Sequence, residues 1–134
     1  MNNCSIIVPV YKAFKELREE ELLSLRQLYK VLGKHTIYLI GPATLNFGSY
    51  LNHSQKNCVT IITKTFDSFY FSSIEGYNRL LVSDFFYAAF SQYKFMLIYQ
   101  PDAWVFRDEL DEWCKKGYDY IGAPWSGMHV YDNE

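Results

Sequence analysis

Apolar and polar positions along the 134 residues alternate between two kinds of pattern. Short runs that are apolar on both faces predict interior strands of a parallel sheet. The first is Ser5-Ile6-Ile7-Val8-Pro9-Val10; Pro9 cannot donate to a ladder, so the strand should open into a loop at Tyr11-Lys12. Further strands are predicted over Thr36–Ile40, ended by Gly41-Pro42, over Val59–Thr63, and over Phe95–Tyr99 as a second interior strand. Helical spacing predicts a helix from Phe14 to Leu32, with its apolar stripe at Leu22, Leu25, Leu28, Tyr29 and Leu32 and Gly33 as its stop. A second helix is predicted from Ser72 to about Phe90, opened by the capping-box form Ser72-x-x-Glu75. Its residues Tyr77, Leu81, Phe85 and Ala88 share one face and Phe86 and Phe90 another. A short helix over Asp108–Cys114 and a strand-like run over Tyr118–Ala123 follow. The polar stretch Asn46–Asn57 and the aromatic stretch Asp67–Phe71 read as loops, and Pro124–Glu134 carries no pattern.

Strands alternating with helices specify an α/β fold, an open and mainly parallel sheet flanked by helices. There is no internal repeat, low-complexity segment or linker that would divide the chain, so residues 1–134 read as one domain. In such sheets ligands sit outside the carboxyl ends of the strands. That rule directs attention to Pro9-Val10-Tyr11, Gly41-Pro42 and Gln100-Pro101-Asp102.

Composition narrows the partners. The formal net charge is −2, and no basic run exceeds Lys115-Lys116, which gives no electrostatic case for nucleic acid or an anionic membrane. No stretch approaches the roughly 20 apolar residues of a membrane helix, and the amino-terminal residues lack the charge of a signal peptide. Cys4, Cys58 and Cys114 are odd in number and widely spaced, which fits reduced thiols and a cytoplasmic setting, with a peripheral position at the inner membrane face as a variant of it.

The most informative chemistry is at Gln100-Pro101-Asp102, where an apolar strand ends in a carboxylate and a second apolar run, Ala103-Trp104-Val105-Phe106, follows at once. An acid between two apolar runs needs a cation, an Arg or backbone donors if it is buried. A hard divalent ion, Mn²⁺ or Mg²⁺, held by Asp102 and completed by diphosphate oxygens and water, is one such partner; an Asx-turn or a structural ion pair is the other. Arg79 offers a planar fork suited to phosphate or carboxylate, against the plainer reading of a solvated helix charge. Asn78 in a first helical turn often serves only the local backbone. Trp104, Trp113 and Trp125 read as core before sugar platforms, with Trp125, after Pro124 at a strand exit, the best platform candidate of the three. His35 reads as helix-terminal, His53 and His129 as loop residues, and Glu19-Glu20-Glu21 as a solvated helix face.

The stretch Leu97-Ile98-Tyr99-Gln100-Pro101-Asp102-Ala103-Trp104-Val105-Phe106 resembles the Asp-x-Asp region of GT-A glycosyltransferases. Gln100 stands at the first acid of that motif, and Asp102 matches the acid that in the family contacts the metal. Ile7-Val8-Pro9-Val10-Tyr11 resembles the first strand and base-receiving loop of such enzymes. Ser73-Ile74-Glu75-Gly76-Tyr77-Asn78-Arg79-Leu80 resembles the helix whose Asn-Arg-Leu segment faces the nucleotide. With Asp108-Glu109-Leu110-x-x-Trp113 and Tyr120-Ile121-Gly122-Ala123-Pro124-Trp125, the chain is similar from Cys4 to Trp125 to a bacterial family catalogued as a domain of unknown function and grouped with glycosyltransferases. The resemblance implies a Rossmann-like GT-A fold for nucleotide-diphospho-sugars, truncated at its carboxyl end.

It further implies donor binding by Pro9, Val10, Tyr11, Asn78, Arg79, Gln100 and Asp102, with Asp102 on a divalent metal. No catalytic base is assignable. The implied partners are a nucleotide-diphosphate sugar and a glycan or lipid-linked hydroxyl acceptor, and the expected activity is glycosyl transfer. The second reading is a nucleotide-sugar-binding or partner-binding module without transfer activity, favoured by Gln100. Truncation also predicts uncovered apolar surface around Phe86, Phe90 and the tail after Pro124, and self-association through it.

Overall fold

The computed structural model describes residues 3–122. Four strands form one all-parallel sheet in the order β3-β2-β1-β4. They are β1 (Cys4–Pro9), β2 (Thr36–Pro42), β3 (Ile61–Phe66) and β4 (Phe95–Ile98). The helices are α1 (Glu19–Leu32), α2 (Gly48–Lys56), α3 (Ile74–Leu81), α4 (Asp84–Ala88) and α5 (Leu110–Lys115), with 3₁₀ turns over Phe14–Glu16 and Ser68–Phe71. The expected open parallel α/β architecture is present. β1 is interior and buried at every position, as its unbroken apolar run requires.

The alternating directions of β1 side chains divide the core. Ile6 and Val8 pack with Leu25, Leu28, Tyr29 and Leu32 of α1 and with Tyr50 of α2. Ile7 faces the other side, with Tyr38, Ile40, Leu80, Phe86 and Phe90. A sheet covered on both faces is the reason the strands read as continuous apolar runs rather than alternating ones.

Several expectations are corrected. β4 pairs with β1 alone among the described residues, so Phe95–Tyr99 supplies an edge strand there, half-buried along its length. Tyr118–Gly122 forms no strand, and Ala123 and the tail lie outside the described residues. The helix expected over Phe14–Leu32 starts at Glu19, because Leu17 and Arg18 are extended. The helix expected over Ser72–Phe90 is two. Ser83 is extended (φ −87°, ψ 142°) and its hydroxyl bonds the Leu80 carbonyl, a local bond that competes with helix continuation. The bend turns Phe86 inward, so Phe86 and Phe90 are 0% and 2% exposed, and the uncovered surface expected at those two residues is not there.

The polar stretch read as a loop contains α2. Asn46 Oδ1 accepts the Gly48 N–H at 2.8 Å, and Phe47, Tyr50, Leu51 and Ser54 make one inward face. Its end is a Schellman turn: Cys58 N–H bonds Gln55 O and Val59 N–H bonds Ser54 O, both at 3.0 Å, with Cys58 at φ 60°. Trp104 and Trp113, read as core, are each more than two-fifths exposed. Cys4 and Cys114, remote in sequence, are neighbours between β1 and α5; burial first, and Cys114 second, push the Cys4 thiol up to about 12.

Candidate functional site

In the order β3-β2-β1-β4 the chain runs outward from β1 in both directions, so strand order reverses between β1 and β4. A crevice forms at the carboxyl ends of strands at such a reversal. A cleft of about 360 Å³ lies there, with Pro9, Tyr11, Gln100, Pro101 and Asp102 among its lining residues. It is also lined by Lys12, Arg18 and Glu21 from the β1–α1 segment and by Phe71, Ser72, Ser73, Ile74 and Tyr77 from the approach to α3.

Each wall is held by local chemistry. On the β1 side, Val10 N–H continues the sheet onto Ile40 O at 2.8 Å, which keeps Val10 buried and turns Tyr11 out into the cleft, 62% exposed. On the β4 side, Ala103 N–H closes a turn onto Gln100 O at 2.9 Å. Ser24 of α1 donates to the Ala103 carbonyl at 2.5 Å, Tyr99 Oη donates to it at 3.0 Å, and Gln27 donates to Val105 O at 2.7 Å. α1 thus pins the turn that carries Asp102. Gln100 Nε2 donates to Tyr77 Oη at 3.0 Å and ties this wall to α3.

The α3 wall depends on Gly76. A Cβ there would lie 2.5 Å from the Phe69 carbonyl, so only glycine lets α3 sit against the 3₁₀ turn that leads to Phe71 and Ser72. Ser73, one residue later than the capping box suggested, caps α3 by accepting the Gly76 N–H at 3.0 Å.

Of the seven residues expected to bind a donor, Pro9, Tyr11, Gln100 and Asp102 line the cleft together. Val10 adjoins it through buried backbone. Asn78 and Arg79 are not among the lining residues. Arg79 is exposed, pairs with Glu75 one turn earlier at 3.3 Å and lies over the Phe69 ring; i,i+4 geometry gives it a partner on its own helix.

Pattern reading missed Lys12, Arg18 and Glu21. Glu21, placed on a solvated face, is 6% exposed. Its Oε1 accepts from Lys12 Nζ at 2.8 Å, Arg18 Nε at 3.0 Å and Arg18 N–H at 3.2 Å. Burial pushes the Glu21 carboxyl up, but the bonds from Lys12 and Arg18 outweigh it and hold it below its ordinary value. The signal was present: an acid three residues into a helix reaches back to the residue before it.

Asp102 is exposed, which removes the desolvation argument for an obligatory partner. A hard divalent ion wants about six oxygen ligands. No group of three or more His, Cys, Asp and Glu is arranged for a metal among the described residues. Glu21 is already bound by two cations, and Gln100 brings no charge. One free carboxylate is a poor fit to a resident metal site.

The family described as "Protein of unknown function (DUF5672)" matches residues 60–133, more than half of the chain, and the chain belongs to that family. No curated protein matches it.

Proposed function

We propose that this member of the DUF5672 family binds a nucleotide-diphosphate sugar in the cleft between β1 and β4 and is a glycosyltransferase, or the donor-binding half of one, acting on a glycan or lipid-linked hydroxyl. The observation that carries the reading is the cleft's location. It sits at the carboxyl edge of a parallel sheet, where strand order reverses, and Pro9, Tyr11, Gln100 and Asp102 meet in it. Its chemistry supports the same ligand class. Tyr11 presents an exposed ring to stack on a base, Phe71 and Tyr77 add apolar wall, and Lys12 and Arg18 supply positive charge.

One observation favours a binding module without transfer. Gln100 replaces an acid and its amide is engaged with Tyr77, and the cleft's carboxylate besides Asp102, that of Glu21, is held by Lys12 and Arg18. Both readings need the sugar nucleotide to bind. Saturation-transfer NMR with UDP-, GDP- and dTDP-sugars should show contact with at least one; no contact with any of them removes both. Release of nucleoside diphosphate in the presence of hydroxyl acceptors then separates transferase from module.

A further inference from the structure

Two cations stand side by side in the cleft, and their geometry goes further than general positive charge. Lys12 Nζ and Arg18 Nε converge on one atom, Glu21 Oε1, at 2.8 and 3.0 Å. The Glu21 side chain is 9% exposed, whereas those of Lys12 and Arg18 are 26% and 60% exposed. A carboxylate nearly withdrawn from water and bonded by two charged donors is a fixed anchor. It holds an ammonium and a guanidinium at the cleft wall while their outer faces stay open. An ammonium has three N–H donors, and Lys12 directs one at Glu21. Arg18 uses Nε on Glu21, and its Nη1 is 3.8 Å from Glu20 Oε1, beyond hydrogen-bond reach.

The other walls add to this. Ser72, Ser73 and Ile74 bring the amino end of the eight-residue α3 to the cleft, and a helix amino end favours an anion. Asp102, the acid expected to hold a metal, lines the same cleft as Arg18.

We propose that Lys12 and Arg18, positioned by Glu21, take the ligand's diphosphate directly, so that the cleft recognises phosphate without a divalent ion. This rests on the nucleotide-diphosphate reading of the cleft. A guanidinium fork and an ammonium suit adjacent phosphate groups, and they supply the charge that one exposed carboxylate could not gather through a metal.

The test is calorimetric titration of the whole chain in EDTA and, in a parallel series, with Mn²⁺, using inorganic pyrophosphate and UDP, GDP, ADP and dTDP as probes. Pyrophosphate and at least one nucleotide should bind. Lys12→Gln and Arg18→Gln should each lower affinity about tenfold, as loss of a charge-assisted contact does. Lys12→Arg should restore most of it, and Lys30→Gln, exposed on α1, should change nothing. Asp102→Asn should keep or raise affinity, because it removes a negative charge from the cleft; a metal ligand would lose affinity instead. Should Lys12→Gln fail to fold by circular dichroism, Arg18→Gln carries the test, since its side chain is mostly in water. Binding that appears only with Mn²⁺, or that ignores both cation variants, overturns the proposal. Pyrophosphate binding without any nucleotide binding leaves the cation pair and removes the nucleotide reading. Nucleotide binding indifferent to Lys12 and Arg18 does the reverse, and no binding of any probe removes both.

Discussion

Tyr50 Oη, on α2, donates a 2.6 Å hydrogen bond to the backbone carbonyl of Lys12, 38 residues earlier in the chain. Tyr50 is fully buried, and the Phe14 ring meets it edge-on at 5.2 Å. The helix that looked like a polar loop therefore fixes the segment from which Lys12 enters the cleft.

Tyr50→Phe should lower unfolding free energy by about 1 kcal/mol, the usual net value of one buried hydrogen bond. It should also weaken pyrophosphate binding, because the Lys12 carbonyl loses its tether. Urea unfolding and calorimetry on the same variant check both effects. Unchanged stability with unchanged binding would mean that the bond holds nothing in place.

Gly76→Ala should damage the α3 wall selectively. The new Cβ meets backbone, the Phe69 carbonyl at 2.5 Å, so no side chain can swing away to make room. Overpacking of this kind costs about 1–3 kcal/mol. Thermal melts should show that loss, and NMR shifts should concentrate at Phe69 to Tyr77 with β1 and β2 undisturbed. A variant as stable as the parent would argue that α3 and the 3₁₀ turn are less closely seated.

Stability should fall in acid through Glu21 and Asp108. At Asp108 burial raises the carboxyl, but the bond from His35 Nε2 at 2.8 Å and the Leu110 N–H at 3.1 Å outweigh it, and the result lies below the ordinary value. Glu21 is lowered likewise. A depressed carboxyl contributes stability above its unfolded pKa, about 4 for these side chains, and loses it as pH falls through the folded value. Melting temperature should therefore drop as pH falls from about 5 toward 3. Glu21→Gln and Asp108→Asn should each flatten that drop; an equal slope in both variants would assign the acid loss to other groups.

Period and composition were enough for the α/β class, the β1 and β2 strands and the stripe of α1. Each of these depends on short-range spacing: Ile6, Ile7 and Val8 are apolar on both faces wherever the sheet lies. The same local pattern failed at Ser83, where one hydroxyl bond to Leu80 divides a helix whose apolar spacing runs on unbroken. It failed at α2 because Asn, Ser, His and Gln mask a face that only Phe47, Tyr50, Leu51 and Ser54 define.

The meeting of Pro9, Tyr11, Gln100 and Asp102 in one cleft was legible because strand ends are visible in sequence and parallel sheets open their clefts there. Glu21 was not. As one of three consecutive acids it has no local mark of burial, and its environment is made by Lys12 and Arg18 arriving from the preceding turn. Arg79 is the converse case: its residue type suits phosphate, but the turn of α3 gives it Glu75 as a partner and it is not among the cleft's lining residues. The sequence by itself determined the strands β1 and β2 and the polar groups at the ends of β1 and β4, because backbone periodicity is a local property; it did not exclude the run Tyr118–Gly122, which is strand-like in pattern and forms no strand. Only the tertiary structure decided which charges share the cleft, because that depends on β1 and β4 lying side by side and on α1 bonding the turn after β4 while bringing Glu21 to the cleft.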